Sequence, residues 1–268
     1  MNQSHLSGIP RPMLQRLAVL LLAVLQILVT LLPGLGLGEP IGSRSDAIRT
    51  LITPAGWAFA IWGPLYAGSI VYAVYQALPA QRGHALLGRI GWYAAGAFLG
   101  NAVWALYTQS AQLDAVSVAI ILFTLLCLLA IYRGVVAAPG LTSGERFLAV
   151  LPLSALAAWL TAAAILNVTA ALKYHGVIAG AAAEPIAAAV VIVAGLIAAL
   201  ALWRGRGNPW YALVFLWALA GINATGGEAS HPVGVALLVA ALLVVISAAV
   251  RLGRARNRRH WFGPGRGV

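Results

Sequence analysis

The stretch TPAGWAFAIWGPLY, residues 53–66, brings together two tryptophans, a phenylalanine, a tyrosine and two prolines at the start of a long run without charge. Pro54 suits the first turn of a helix, where its missing N–H is not needed. Trp62 and Tyr66 stand four residues apart, so a helix places them on one face. A helix that only had to cross lipid would not need such a cluster. We interpret the stretch as the mouth of a site around which the other helices are arranged.

The composition is that of a polytopic membrane protein. Hydrophobic residues make up 62% of the 268 residues and charged residues 9%, which is too little charge to cover a water-soluble domain. The net charge of +11 does not indicate a nucleic-acid partner, because the basic residues sit in short loops and near the C-terminus, as membrane topology requires. The single cysteine, Cys127, lies in an apolar run, which excludes an intrachain disulfide and a cysteine-based metal motif.

Apolar stretches of about 20 residues, long enough to cross a bilayer, recur along the chain. We predict an all-α integral membrane protein with eight transmembrane helices. The first stretch follows two arginines, as in a signal peptide, but it continues to Leu32 without a small-residue cleavage site, so we expect a retained helix. The predicted spans are residues 14–32, 56–78, 90–108, 115–132, 147–172, 185–203, 209–227 and 232–250.

Basic residues divide unevenly between the two sides of the predicted bundle. Of the 17 Lys and Arg, 14 fall on the side that holds both termini, against Arg44, Arg49 and Lys173 on the other. By the positive-inside rule we place both termini in the cytoplasm and the chain in the inner (cytoplasmic) membrane, with the first connection facing outward. The 14 are Arg11, Arg16, Arg82, Arg89, Arg133, Arg146, Arg204, Arg206, Arg251, Arg254, Arg256, Arg258, Arg259 and Arg266.

Two segments outside the spans each have two interpretations. The first connection, residues 33–55, is the longest and adjoins the aromatic stretch, so it is either a lid over a site or an ordinary surface connection. The basic run RLGRARNRRH, residues 251–260, either lies on anionic headgroups or serves as a topology signal alone.

Ionisable groups are missing from the centres of the predicted spans, where no Asp, Glu, Lys, Arg or His falls. Ion-coupled carriers usually place such a group at membrane depth, and acid–base catalysis needs paired titratable groups. The histidines are scattered, so no metal-ligand spacing is present. The sequence therefore indicates neither an ion-coupled carrier nor a catalytic or metal site.

Amide and aromatic side chains stand at membrane depth instead. Asn101 and Trp104 share the third predicted span, Trp159 and Asn167 share the fifth, and another Trp–Asn pair lies in the seventh. An asparagine in hydrocarbon needs a hydrogen-bond partner, which is either another helix or a group in a cavity. A tryptophan offers a flat apolar surface and one donor, which suits a planar apolar ligand. The alternative role of a tryptophan is in the belt of aromatic residues at the membrane–water interface.

Three segments in register resemble the tryptophan-rich sensory protein family, also called TspO/MBR, which includes the translocator protein (peripheral benzodiazepine receptor). They are TPAGWAFAIWGPLY, GNAVWALY at residues 100–107 and WLTAAAILN at residues 159–167. WGPLY resembles the W-x-x-L-Y segment of the family's second helix, and Asn101 and Trp104 match its N-x-x-W segment. Trp159 and Asn167 match a tryptophan followed eight residues later by an asparagine. The resemblance covers about residues 10–175 and implies a bundle of five transmembrane helices.

The resemblance implies a pocket between helices, covered by the first connection, for porphyrins, haem-like tetrapyrroles, sterols or synthetic apolar ligands. By position it places Trp62, Asn101, Trp159 and Ala163 in the pocket wall. The family's proline pair before the second helix is Thr-Pro-Ala here, at residues 53–55. No Lys or Arg follows Tyr174 within five residues, as the cholesterol-recognition pattern requires, and this counts against a sterol ligand.

We divide the chain into a TspO-like five-helix domain (residues 1–175), a three-helix extension (residues 176–252) and a basic cytoplasmic tail (residues 253–268). The extension lies outside the resemblance. A homodimer is compatible with the sequence, and the extra helices could equally cover a surface that shorter relatives use for dimerisation.

We predict a non-enzymatic receptor, sensor or carrier for an apolar, planar ligand of the porphyrin, tetrapyrrole or sterol type, surrounded by membrane lipids and without a nucleic-acid partner. It requires no cofactor, and a bound porphyrin or haem is compatible with it. The alternative is a small-solute transporter that is not coupled through a buried ionisable group. The predicted ligand-binding residues are Trp62, Tyr66, Asn101, Trp104, Trp159, Ala163 and Asn167. No catalytic or metal-binding residue is predicted.

Overall fold

The computed structural model describes residues 10–177 and 179–263, which form helices and no strand. Arg266 and the end of the predicted tail lie outside the described residues. Short 3-10 turns precede α3, at Gly56–Ile61, and occur at Leu32–Leu35, Pro79–Gln81 and Gly180–Ala182. The helices are α1 (Met13–Thr30), α2 (Ile41–Ala47), α3 (Trp62–Ala77), α4 (Ala85–Ser110), α5 (Ala115–Ala137), α6 (Ser143–Tyr174), α7 (Ala183–Arg204), α8 (Pro209–Ile222), α9 (His231–Gly253) and α10 (Ala255–Phe262).

Seven helices of the described residues are long and apolar enough to cross a membrane: α1, α3 with its 3-10 turn, and α5 to α9. The third predicted span forms most of α4, which has 26 residues and is about 39 Å long at the helical rise. Glycines, Asn101 and several aromatic residues make α4 less apolar than the other seven. The chain is therefore a multi-pass membrane protein, and the count of eight spans stays a prediction.

Side-chain caps fix where several long helices begin. The Asp114 carboxylate accepts the backbone N–H groups of Val116 and Ser117 at 2.9 and 3.1 Å, which satisfies donors that the first turn of α5 leaves free. Thr142 and Glu145 cap α6 reciprocally, in the pattern of a capping box. Asn208 caps α8, whose first residue is Pro209. Each cap therefore marks the end of a loop and the residue at which the following helix begins.

The structure corrects the predicted place of one proline, although the helical segment that follows it begins at Gly56, where the predicted span begins. Pro209 is the first residue of α8 and Pro232 the second of α9, as expected for proline in a first turn. Pro54, in contrast, lies before the 3-10 turn that begins at Gly56. The N–H of Ala55 donates to the carbonyl oxygen of Gly221 at 2.9 Å, so the backbone here is hydrogen-bonded to α8 instead of to its own helix. The prediction that Pro54 opens the helix was wrong for this reason.

Five long helices close into a ring. Around it, α1 packs on α3, α3 on α6, α6 on α5, α5 on α4, and α4 on α1. The short helix α2 of the first connection contacts α4 at one end of this ring. The aromatic stretch 53–66 thus enters the ring at the end that α2 covers.

Helix α6 joins this ring to the last three long helices. In its most apolar stretch 78% of the residues are buried, which is the pattern of a helix surrounded by protein on all sides. It contacts α3 and α5 on one side and α7 and α8 on the other, while α7 and α9 pack along each other. The five-plus-three division stays a prediction, and the packing around α6 is continuous across it.

The basic run after α9 forms α10, which docks against the end of the bundle. Trp261 is fully buried, and its indole N–H donates to the carbonyl oxygen of Arg206 at 3.1 Å. Arg146 donates to the carbonyl oxygen of His260 at 3.2 Å. The arginines at positions 254, 256, 258 and 259 are exposed. The helix therefore packs through one face and presents its charges on the other.

Candidate functional site

A small aromatic cavity lies where the stretch 53–66 meets α4 and α6. Its volume is about 60 Å³. Five of the seven predicted ligand-binding residues line it, and the first connection contributes Ile41, Ser45 and Ile48. The five predicted residues are Trp62, Trp104, Trp159, Ala163 and Asn167.

Three aromatic rings form the wall nearest to the first connection. Trp159 stands edge-on to Trp62, with ring centroids 6.1 Å apart, and edge-on to Phe59 at 6.2 Å. Trp62 also stacks on Tyr66, with centroids 5.1 Å apart. Such edge-to-face and offset pairs are favourable arrangements of aromatic rings, so the rings of the wall support one another.

The indole N–H of Trp159 has no hydrogen-bond partner among the described residues. The side chain is only 2% exposed and lines the cavity. A buried donor without a partner costs about 1–3 kcal/mol, and such groups are rare in native proteins. A ligand with an acceptor atom could satisfy this donor.

A chain of hydrogen bonds holds the opposite wall. The Trp104 indole N–H donates to the Asn167 side-chain oxygen at 2.7 Å. The Asn167 amide group donates to the Ser117 hydroxyl at 2.7 Å, and Ser117 donates to the Asp114 carbonyl oxygen at 2.7 Å. Since α4, α5 and α6 each contribute a member, this chain fixes the three helices around the cavity.

The remaining predicted residues, Asn101 and Tyr66, do not line the cavity. Asn101 is 2% exposed and donates to the Gln26 side-chain oxygen on α1 at 3.0 Å. This is a hydrogen bond between two helices, one of the two roles that the sequence left open for an asparagine at membrane depth. Tyr66 supports the wall from behind through its stacking on Trp62. Gln26 was not predicted from the sequence, although an amide in an apolar span is a signal of the same kind.

The first connection covers the cavity and is tied to α4 on one side. The backbone N–H of Glu39 donates to the carbonyl oxygen of Gln109, the penultimate residue of α4, at 2.8 Å. From there α2 crosses the cavity, and Thr53 and Pro54 complete its wall. The segment therefore occupies the place of a lid, the first of the two interpretations of residues 33–55.

On its other side the lid, together with the 3-10 turn Gly56–Ile61, is tied to α8 and to the π-helical turn Asn223–Gly227 that follows α8. The Thr225 hydroxyl donates to the Thr53 carbonyl oxygen at 2.7 Å. The Trp217 indole N–H donates to the Ala58 carbonyl oxygen at 2.9 Å, and the ring stands edge-on to Trp57 with centroids 5.0 Å apart. We call this set of contacts the clamp. The clamp could not be predicted from the sequence, because the hydrogen-bond acceptors in it are backbone carbonyl groups.

The chemistry of the cavity is that of a binding site. Its wall offers apolar surface, aromatic edges and a few hydrogen-bonding groups. In residues 10–177 and 179–263 no cluster of three or more His, Cys, Asp or Glu side chains could hold a metal ion. Pockets for drug-sized ligands have volumes of about 300–1,000 Å³, so a tetrapyrrole would require the lid to move outward.

Comparison with known protein families gives a match over most of the chain. The sequence model of a family described as TSPO-like protein matches residues 13–250. The matched range passes residue 175, where the resemblance read from the motifs ends, and it includes α7, α8 and most of α9. No curated protein and no solved structure matches the chain.

Proposed function

The chain belongs to the family of TSPO-like proteins, and on that premise we propose that it is a membrane receptor or sensor for an apolar, planar ligand of the porphyrin type. Proteins of this family are generally non-enzymatic binding or sensing proteins. The ligand enters the aromatic cavity beneath the lid, from the side that the distribution of basic residues assigns to the outside.

The observation that carries this proposal is the unpartnered Trp159 indole N–H in an aromatic wall. A planar ligand with acceptor atoms at its edge would stack on or against the rings and accept this hydrogen bond. Of the other two indoles that line the cavity, that of Trp104 already donates to Asn167, and that of Trp62 is not among the buried donors that lack a partner. Trp159 is therefore the donor that selects the ligand, and Trp62 supplies the surface against which it lies.

The transporter alternative depends on asparagines that could hold a solute at membrane depth. Asn101 is engaged with Gln26, and Asn167 is engaged with both Trp104 and Ser117. Moving a solute past these groups would break bonds that hold the helices together. The geometry favours a receptor for this reason.

The test is a titration of the purified protein, in an uncharged detergent, with protoporphyrin. Binding should quench tryptophan fluorescence and shift the main absorption band of the porphyrin. Trp62→Ala should weaken binding about tenfold, which is about 1.4 kcal/mol. The matched control is Trp92→Ala on α4, because Trp92 is 50% exposed on the outside of the bundle. If both variants bind as the unmodified protein does, the proposal is wrong.

A further inference from the structure

A second, larger cavity opens between the lid and the last three long helices. Its volume is about 1,040 Å³, just above the usual range for ligand sites. One wall is the lid segment 49–52 and another the end of α6, while the beginning of α7 and the π-helical turn after α8 close it. It shares no lining residue with the aromatic cavity. We call this second cavity the crevice.

The interior of the crevice is apolar. Leu51, Ile52, Ile186 and Val190 line it, with alanines of α7 between them. Leu172 and Ile186 are each about half exposed, so apolar side chains also stand at its opening. An apolar chain that filled it would remove this surface from contact with water or headgroups, which is favourable.

The rim of the crevice carries a positive charge. Arg49 and Lys173 line it, and they are two of the three cations on the predicted outward side. Arg49 pairs with Asp46 at 2.6 Å. The Lys173 ammonium group donates to the Arg49 carbonyl oxygen, and among the described residues no carboxylate lies within 4.0 Å of it. The two cations and Asp46 together carry a net charge of +1.

We propose that the crevice binds an amphiphile with one apolar chain and one singly charged carboxylate head, such as a long-chain fatty acid. The chain lies against α7 and Ile52, and the carboxylate accepts hydrogen bonds from Lys173, which has N–H donors left beyond the one given to Arg49. A single negative charge balances the net charge of these three groups, which favours a singly charged head over a doubly charged one. The ligand class and the place both differ from those of the proposed receptor site.

The test uses a pyrene-labelled hexadecanoic acid and its methyl ester, in an uncharged detergent and in buffer alkaline enough to ionise the acid. We expect the acid to bind at least tenfold more tightly than the neutral ester. Lys173→Gln should remove most of this preference, and Lys173→Arg should restore it. Arg133→Gln is the charge-matched control, since it removes an exposed cation from the other side of the bundle, and it should change nothing.

The wall of the crevice is tested by a matched pair on α7. Ala187 lines the crevice, whereas Ala189 is exposed and does not. Ala187→Phe should weaken binding of both probes at least tenfold, and Ala189→Phe should leave binding unchanged. Equal binding of acid and ester, or equal binding by the two phenylalanine variants, would overturn the proposal.

Two further outcomes separate this site from other possibilities. If phosphatidylglycerol displaces the probe more strongly than unlabelled hexadecanoic acid, the occupant is a two-chain membrane lipid and the proposal is wrong. Protoporphyrin titration of Ala187→Phe and Lys173→Gln then distinguishes the two sites. Failure of the fatty acid to bind, with porphyrin binding intact, would refute the crevice alone.

Discussion

Two asparagines that look alike in the sequence have different surroundings in the molecule. Asn101 and Asn167 both lie on helices that carry a tryptophan, and both are nearly fully buried. Asn101 bonds to Gln26 between α4 and α1, whereas Asn167 holds Trp104 and also lines the cavity. A polar residue at depth predicts that a partner exists. It does not predict which partner, because that depends on the helix packed against it.

This difference gives a prediction at the scale of single residues. Asn101→Ala and Asn167→Ala each leave a buried partner without its hydrogen bond, so each should lower the free energy of unfolding by about 1–2 kcal/mol. Only Asn167→Ala should also weaken porphyrin binding, because it frees Trp104 in the cavity wall. Thermal unfolding in detergent and porphyrin titration measure the two effects. A loss of affinity in Asn101→Ala as large as in Asn167→Ala would contradict this assignment.

At the scale of elements, the clamp depends on close approach between the π-helical turn and the lid. A Cβ atom at Gly226 would overlap the carbonyl oxygen of Leu51, so only glycine fits at this position. Gly226→Ala should push the lid away and expose residues 50–58 to solvent. We expect faster amide hydrogen exchange in this segment and a lower melting temperature.

The matched control for this substitution lies directly after the lid, in the 3-10 turn Gly56–Ile61. A Cβ atom at Gly56 would meet nothing within 4 Å, so Gly56→Ala should change neither hydrogen exchange nor melting. Thr225→Val, which removes the hydroxyl that donates to Thr53, should give a weaker form of the Gly226→Ala effect. Unchanged exchange in both clamp variants would show that the lid is held by other contacts.

The docking of α10 should depend on pH through His260. Burial, and then the guanidinium groups of Arg206 and Arg146, lower the pKa of His260 to about 4, from an ordinary value of about 6.5. Between these values the undocked helix binds more protons than the docked one. Docking is therefore fully stable above about pH 6.5 and weakens as the pH falls towards 4.

Hydrogen exchange of residues 255–262, corrected for intrinsic rates, measures this docking. Protection should fall between about pH 7 and pH 5 in the unmodified protein. His260→Gln cannot be protonated, so it should show the same protection at both pH values. Protection that falls equally in both proteins would assign the effect to another group.

For the whole molecule, the sequence allowed prediction of those features that depend on local composition. The apolar runs predicted where the long helices begin and end to within a few residues. Five of the seven ligand-binding residues chosen from the motifs line one cavity. The clamp was not predictable, because Thr53 and Thr225 are 172 residues apart and backbone acceptors leave no mark on a sequence. The predicted domain boundary at residue 175 was placed where the resemblance to the family ends. In the structure, α6 and the clamp both join residues before this boundary to residues after it.

One segment of the lid separates the two cavities, and this predicts that their ligands compete. Ile48, Thr53 and Pro54 line the aromatic cavity, while residues 49–52 line the crevice. The aromatic cavity must grow from about 60 Å³ to admit a porphyrin, and this non-helical segment yields more easily than the packed helices around it. When this segment moves away from the aromatic cavity, it reduces the volume of the crevice.

A fatty acid in the crevice should therefore weaken porphyrin binding, and porphyrin should weaken fatty-acid binding by the same factor, because linkage between sites is reciprocal. Porphyrin titrations with and without saturating hexadecanoic acid measure this factor, which we expect to be about tenfold. Ala187→Phe should abolish the effect of the acid by keeping it out of the crevice. Porphyrin affinity that stays constant or rises with the acid present would show that the segment moves away from both cavities.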